Sequence, residues 1–254
     1  MAKFISLYSG SKGNASLIVS DRSDAVLLDC GVSFTKLRAA MAAAGVSEQA
    51  VRGVVITHEH RDHIAGLSTL LGKWNLPVYL NRRTAQKLPF VTENAVIGEN
   101  EPFFIGDIEV CRFPVYHDAA ACCGYTFTAD GKKISALTDC GKIDSKILTT
   151  VADSDLLYIE SNYDETMLRN GPYPPALQRR IAAPNGHLSN RECAETVTKL
   201  ALLGLRKAVL GHISENNNTY LLAQGTTLKA LGPLAGGFSL YVADETPMPL
   251  TAQV

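Results

Sequence analysis

The residues best equipped for chemistry lie in Thr57-His58-Glu59-His60-Arg61-Asp62-His63, directly after the apolar run Val54-Val55-Ile56. Four potential metal ligands, His58, His60, Asp62 and His63, fall within six residues, and three of the chain's six histidines are among them. Neutral imidazoles and a carboxylate suit zinc, manganese or iron, so the stretch predicts a metal site. A solvated polar turn is the plainer reading, but it leaves the crowding of histidines unexplained. His58 and His60 alternate on one side of an extended segment, while Asp62 and His63 turn away as the chain enters a helix. That geometry offers two ligands to each of two neighbouring metals.

The flanking elements must hold this turn in place. Strand patterns at Lys3–Tyr8, 15–20 and Ala25–Leu28 enclose the small-residue loop Ser9-Gly10-Ser11-Lys12-Gly13-Asn14, which reads equally as a phosphate cradle or a plain hairpin turn. A helix over 33–45, another over 64–74, a strand at 77–80 and a short helix at 84–88 follow. Strands recur at Phe103–Ile105, Ile108–Pro114, 124–128 and 133–137, then a helix near Ser145–Val151 and a strand at Leu156–Glu160. The Pro-rich 171–175 reads as a surface crossing. Ser189-Asn190-Arg191-Glu192 has capping-box spacing before a helix that reaches Leu203, with His187 at its entrance. A strand at 207–210, a helix at 219–231 and a closing strand at 238–242 complete the pattern.

This alternation predicts a layered α/β fold. Leu27-Leu28-Asp29-Cys30-Gly31 echoes Leu137-Thr138-Asp139-Cys140-Gly141, and the strand ending at His58 echoes the one ending at His212. The expectation is one domain over 1–254 made of two pseudo-symmetric halves, with Asp29, His58, Asp139 and His212 converging at one edge.

With 254 residues, 46% of them hydrophobic and 19% charged, the chain can fill a large core. No apolar stretch approaches the roughly 20 residues that span a bilayer, and the N-terminus lacks a signal-peptide layout, so no membrane contact and a cytoplasmic address are expected. The six cysteines show no CxxC pair and read as reduced thiols. A net charge of -1 gives no global pull toward nucleic acid, although a local basic path remains open. Such a path is suggested between Glu165 and Lys207, where seven Lys/Arg face three acidic residues; a solvated helix face explains the same excess.

These residues resemble the metallo-β-lactamase superfamily, whose HxHxDH motif reads as His58, His60, Asp62 and His63. Further motifs match in order at Asp29, His117, Asp139 and His212, across nearly the whole chain. The resemblance implies a four-layer αββα sandwich with two divalent metal ions, zinc or manganese and less readily iron. One would be held by His58, His60 and His117 and the other by Asp62, His63 and His212, with Asp139 bridging them. Asp29 would orient the histidine turn without binding metal.

Within the superfamily, Ser9–Asn14, Glu160-Ser161-Asn162-Tyr163-Asp164, Gly186-His187-Leu188-Ser189-Asn190 and Ser214-Glu215-Asn216-Asn217 look like the bacterial YycJ/WalJ subfamily, regarded as DNA exonucleases or related phosphodiesterases. Tyr163 departs from that subfamily's pattern, which has His there. Glu160 and His187 are also similar to a Glu/His pair of the RNase Z branch, in which the His protonates the leaving group. The resemblance thus implies catalytic roles for Asp62, Asp139, Glu160 and His187, and phosphate contacts from Ser11, Lys12, Asn14, Ser189 and Ser214.

Two adjacent metals can lower the pKa of a bridging water and clamp a phosphodiester for in-line attack. Only 22 positions separate His117 from Asp139 and 73 separate Asp139 from His212, leaving no room for the extra RNA-gripping segments of the RNase Z and RNase J branches. The leading expectation is therefore a nuclease acting on nucleic acid, specifically a DNA exonuclease working at DNA ends. The alternative is a small-molecule hydrolase, a thiolester or lactone cleaver of the glyoxalase II kind. A flavodiiron-type redox site would need a flavin domain and usually a Glu in place of one histidine, and the sequence offers neither.

Overall fold

The computed structural model describes residues 1–91, 94–98, 101–245 and 248–254. In chain order the strands of the first half are β1 Lys3–Tyr8, β2 Ala15–Val19, β3 Ala25–Leu28, β4 Val51–Val55, β5 Val78–Leu80 and β6 Ala95–Ile97. Those of the second are β7 Phe103–Ile105, β8 Ile108–Pro114, β9 Cys123–Ala129, β10 Lys132–Leu137, β11 Leu156–Glu160, β12 Lys207–Gly211, β13 Ser239–Val242 and β14 Leu250–Gln253. Among the described residues they form two seven-stranded sheets, ordered β14-β1-β2-β3-β4-β5-β6 and β13-β12-β11-β10-β9-β8-β7. Each sheet is antiparallel on one side and parallel from β3 to β6 or from β10 to β13.

Strand side chains alternate between two buried layers, as the period of two requires. Phe4, Ile18, Val26 and Val55 of one sheet meet Tyr125, Phe127, Ile134, Tyr158 and Val209 of the other in a shared inner core. The opposite faces bury Ile5, Leu17, Leu27 and Val54 under helices α1 Phe34–Ala43 and, further along, the Leu67–Lys73 helix. Leu157, Ile159 and Leu210 lie under Ile147, Cys193, Val197 and Leu200 of two further helices. The result is the expected αββα sandwich. Because both faces of both sheets are covered, the strands read as apolar runs, and ligand-binding groups are left to the loops at the parallel strands' C-terminal ends.

Four details differ from the sequence reading. The helix expected over 64–74 is two pieces, α2 Arg61–Ile64 and α3 Leu67–Lys73, because the Gly66 amide turns aside to bond the Cys30 carbonyl at 2.8 Å. After α4 Arg82–Lys87 the chain adds β6, a strand of three residues and too short to show alternation. Beyond α5 Ser145–Val151 the Pro-rich crossing lies between two helices, α6 Glu165–Asn170 and α7 Pro175–Ile181, the latter opened by a proline at its first turn. After α8 Asn190–Leu202 and α9 Tyr220–Leu231, the chain does not close on 238–242: β14 crosses back to pair with β1.

The backbone crowds where the histidine turn meets the N-terminal loop. A Cβ on Gly31 would sit 1.6 Å from the Asp62 carbonyl oxygen and 2.7 Å from the Asn14 nitrogen. Gly31→Ala is expected to cost about 3 kcal/mol in urea unfolding, the upper range for overpacking. Gly72→Ala, in open space on α3, is expected to be neutral or to stabilise by about 0.5–1 kcal/mol.

Candidate metal centre

The cage is assembled at strand ends. Asp29 follows β3, Asp139 lies two residues past β10, and His212 follows β12, and all three adopt left-handed backbone with φ of 59°, 54° and 51°. Such torsions are uncommon outside glycine and persist where surrounding bonds fix them.

Asp29 is fixed by what it holds. Its Oδ1 accepts the Thr57 amide at 2.9 Å; its Oδ2 accepts the Thr57 hydroxyl at 2.9 Å and His63 Nδ1 at 2.7 Å. Having given its one proton to Asp29, Thr57 Oγ1 accepts from His58 Nδ1 at 3.0 Å. His58 and His63 thereby carry protons on Nδ1 and turn Nε2 toward the clustered ligand atoms. The histidine ring directions thus depend on Thr57, a residue the sequence reading passed over although it opens the motif.

The opposite wall is held by Glu160, a fully buried carboxylate at the end of β11. Oε1 accepts the amides of Cys140 at 2.7 Å and Leu188 at 3.1 Å. Oε2 accepts His187 Nδ1 at 3.0 Å and His212 Nδ1 at 3.2 Å. Burial pushes this acid up, but the charges and hydrogen bonds of His187 and His212 outweigh it and hold the pKa at about 2. The sequence tied Glu160 to His187; its second client, His212, emerges only in three dimensions. His117 donates from Nδ1 to the Gly186 carbonyl at 3.0 Å and turns Nε2 toward His60 Nδ1, 3.3 Å away. Asn162 donates to the His212 carbonyl at 2.9 Å and lines the same cleft, another contribution that sequence alone did not reveal.

Ligand atoms therefore gather in overlapping sets. His58, His60 and His117 form one group and Asp62, His63 and His212 another, in each case with atoms within 4.8 Å of one another. Asp139 stands between them, Oδ2 lying 3.2 Å from His63 Nε2 and Oδ1 3.7 Å from His117 Nε2. His58 Nε2 and Asp139 Oδ2 are buried with no hydrogen-bond partner among the described residues. Buried polar atoms rarely go unsatisfied, so two orphaned lone pairs in a nest of imidazoles and carboxylates fit a divalent cation.

Electrostatics point the same way. Burial lowers the His58 pKa well below its ordinary value, keeping that ring neutral as a ligand must be. For His63 burial also opposes the charge, yet Asp139, Asp29 and Asp62 together carry the pKa well above the usual range. His212, opposed by burial and favoured by Asp139, Asp62 and Glu160, is raised to about 10. Asp62 and Asp139 are pushed up by burial, but neighbouring histidines pull both well below the carboxylate range.

The other expected contacts divide. Ser11 and Ser214 line the cleft beside Asp62, Asp139 and His187. Asn14 is buried and bonds inward, its amide nitrogen donating to the Asp62 carbonyl at 2.8 Å. Lys12 pairs with Glu215 and does not line the cleft. A phosphate role for Ser189 is corrected: it is 0% exposed and spent as the N-cap of α8, exchanging bonds with Glu192. The basic path is corrected too. Arg191 pairs with Glu165 and Glu195, Arg206 bonds the Ala201 and Leu205 carbonyls, and of the seven cations only Arg180 lines the cleft, itself paired with Asp118. Tyr163 is 5% exposed and does not line the cleft.

Two mixed sheets between helical layers, with a histidine and aspartate cage at their strand ends, define a metallo-hydrolase class. The chain belongs to the beta-lactamase superfamily domain family, whose profile matches residues 24–213. It is 33% identical to the exodeoxyribonuclease WalJ of Streptococcus pneumoniae over 268 residues, covering 98% of this chain and 97% of that one. It is also 33% identical over 234 residues to the exodeoxyribonuclease YycJ of Bacillus anthracis, covering 90% and 88%. Among solved structures, the metallo-beta-lactamase fold protein YhfI from Bacillus subtilis superposes with a TM-score of 0.76 at 14% identity, covering 100% of both chains. Among the described residues no helix is long and apolar enough to cross a membrane.

Metal binding needs the Nε2 lone pairs of His63 and His212, whereas the acids around both rings favour their protonated forms. Apparent zinc affinity is therefore expected to fall as pH drops, read by chelator competition at several pH values. Thr57→Val should weaken zinc binding about 10–100-fold in a chelator competition, whereas Thr57→Ser should restore it.

Proposed function

We propose that this chain is a two-metal phosphodiesterase that removes nucleotides from DNA ends, the whole of 1–254 acting as one catalytic domain. The observation that carries the reading is the pairing of His187 with Glu160 beside the cage. Glu160 takes the Nδ1 proton at 3.0 Å, and the side chain of His187 remains 19% exposed. Its Nε2 therefore faces the cleft as a proton donor. A departing sugar alkoxide needs such a donor; a departing thiolate does not. The names of the relatives that match over most of their length support the same substrate class.

His58, His60 and His117 would hold one divalent ion and Asp62, His63 and His212 the other, with Asp139 shared. Imidazole donors suit zinc and carboxylate donors suit manganese. When bound, the ions polarise the phosphoryl oxygens and activate water. Asp139 contributes an oriented, buried carboxylate that accepts a hydrogen bond from the attacking water. Asp62 anchors the second ion's side of the cage while Asn14 fixes its backbone. Ser11 and Ser214 can donate hydroxyl protons to a phosphate in the cleft. Glu160 keeps His187 aimed so that a proton can pass from Nε2 to the leaving oxygen. A cytoplasmic setting goes with this reading, supported by cysteines that form no disulfide among the described residues.

The first test is substrate class: metal-loaded protein should degrade DNA and cleave a nitrophenyl phosphodiester, and turnover of S-lactoylglutathione alone would refute the proposal. The second concerns the donor. His187→Ala should lower kcat on DNA by about 10²–10⁴-fold while the metal content stays at the wild-type level. Its effect on the nitrophenyl ester should be far smaller, since nitrophenolate leaves unprotonated. Equal losses on both substrates would remove His187 from the donor role.

A further inference from the structure

The wall of the cleft opposite the ligands has a different chemistry. Tyr173, Leu177 and Ile181 follow one another at intervals of four along the approach to α7 and through it, and all three line the cleft. That spacing places Leu177 and Ile181 on one face of α7, and Tyr173 precedes the helix beside its N-cap Pro174. No residue of α7 is buried, and none of these three belongs to an apolar core. The helix therefore spends its apolar stripe on the cleft, where apolar surface is useful only if something covers it.

The stripe is held rigidly. Asn216 Nδ2 donates to the Tyr173 hydroxyl at 3.0 Å, and Gln178 Nε2 donates to the Tyr173 carbonyl at 2.9 Å. Pro174 and Pro175 fix the backbone between the ring and the helix. At the far end the His187 amide donates to the Ile181 carbonyl at 2.9 Å, and the next carbonyl back from His187, that of Gly186, holds His117. The apolar wall is thus tied through one short turn to a ligand and to the proposed proton donor. Arg180 sits on the same helix at the cleft's edge, a cation beside the apolar face.

Resting on the phosphodiesterase reading above, we propose that this wall is a nucleobase platform: the base of the terminal nucleotide stacks on Tyr173 and against Leu177 and Ile181 while its phosphodiester lies at the cage. Every base has a π-face, so the platform binds bases without reading sequence.

The experiment compares two oligonucleotides that differ only in whether the terminal nucleotide carries a base or is an abasic tetrahydrofuran analogue. For wild-type enzyme kcat/KM should fall about tenfold or more on the abasic end, the range that stacking on one aromatic ring supplies. Tyr173→Ala should reduce the ratio between the two substrates to near one, Leu177→Ala should reduce it partly, and Tyr173→Phe should keep it. The ratio is taken within one preparation, so a loss of folded fraction cancels. Wild-type enzyme that cuts both ends equally well, or a Tyr173→Ala enzyme with the wild-type ratio, would overturn the platform and leave the nuclease reading standing. A protein that cleaves neither oligonucleotide would overturn both.

Discussion

The structure depends on two buried carboxylates that bind nothing but hydrogen-bond donors. Asp29 and Glu160 stand on opposite sides of the cage, and each takes the Nδ1 proton of a histidine whose other nitrogen must face a cation. Buried charge is costly unless fully paired, and both acids meet that condition, Asp29 with three bonds and Glu160 with four. Without them the imidazoles would be free to rotate and to choose either tautomer. The cage is therefore a property of its supports as much as of its ligands.

The fold makes such support possible by repeating one plan. In each sheet, three antiparallel pairings give way to three parallel ones, and it is the parallel strands that deliver Asp29, Asp139, Glu160 and His212 to a common edge. Two sheets packed through a shared apolar layer bring those edges together. The apolar layer fixes the distance between the halves, and the polar edge uses it.

Much of this was legible in the sequence for a physical reason. A dense cluster such as His58, His60, Asp62 and His63 cannot be satisfied by water alone without leaving its crowding unexplained, and strands buried on both faces announce themselves as apolar runs. What the sequence concealed were relations between distant parts: the dual use of Glu160, the hydroxyl relay through Thr57, and the cap that withdraws Ser189 from any ligand. Each is set by which donor happens to lie within hydrogen-bond distance of which acceptor, and no local pattern encodes that. Short or proline-bounded elements were also hidden, as β6, α6, α7 and β14 show. The excess of basic residues near α8 misled because charge counts ignore partners, and Arg191 and Arg206 have partners of their own.

The separations along the chain carry one more consequence. His212 faces Asp62 across 150 positions, and its amide bonds the Ser9 hydroxyl across 203. Contacts of such span close late, after the loop entropy of the intervening chain has been overcome. During synthesis the histidine turn leaves the ribosome long before β12, and of the seven proposed ligands only His212 follows that strand, so the Asp62 and His63 group stays one ligand short until then. The last ligand to arrive is also the one locked to the first loop. Completing the second group of ligands and tying the C-terminal part of the chain to the N-terminal loop are in this way one step.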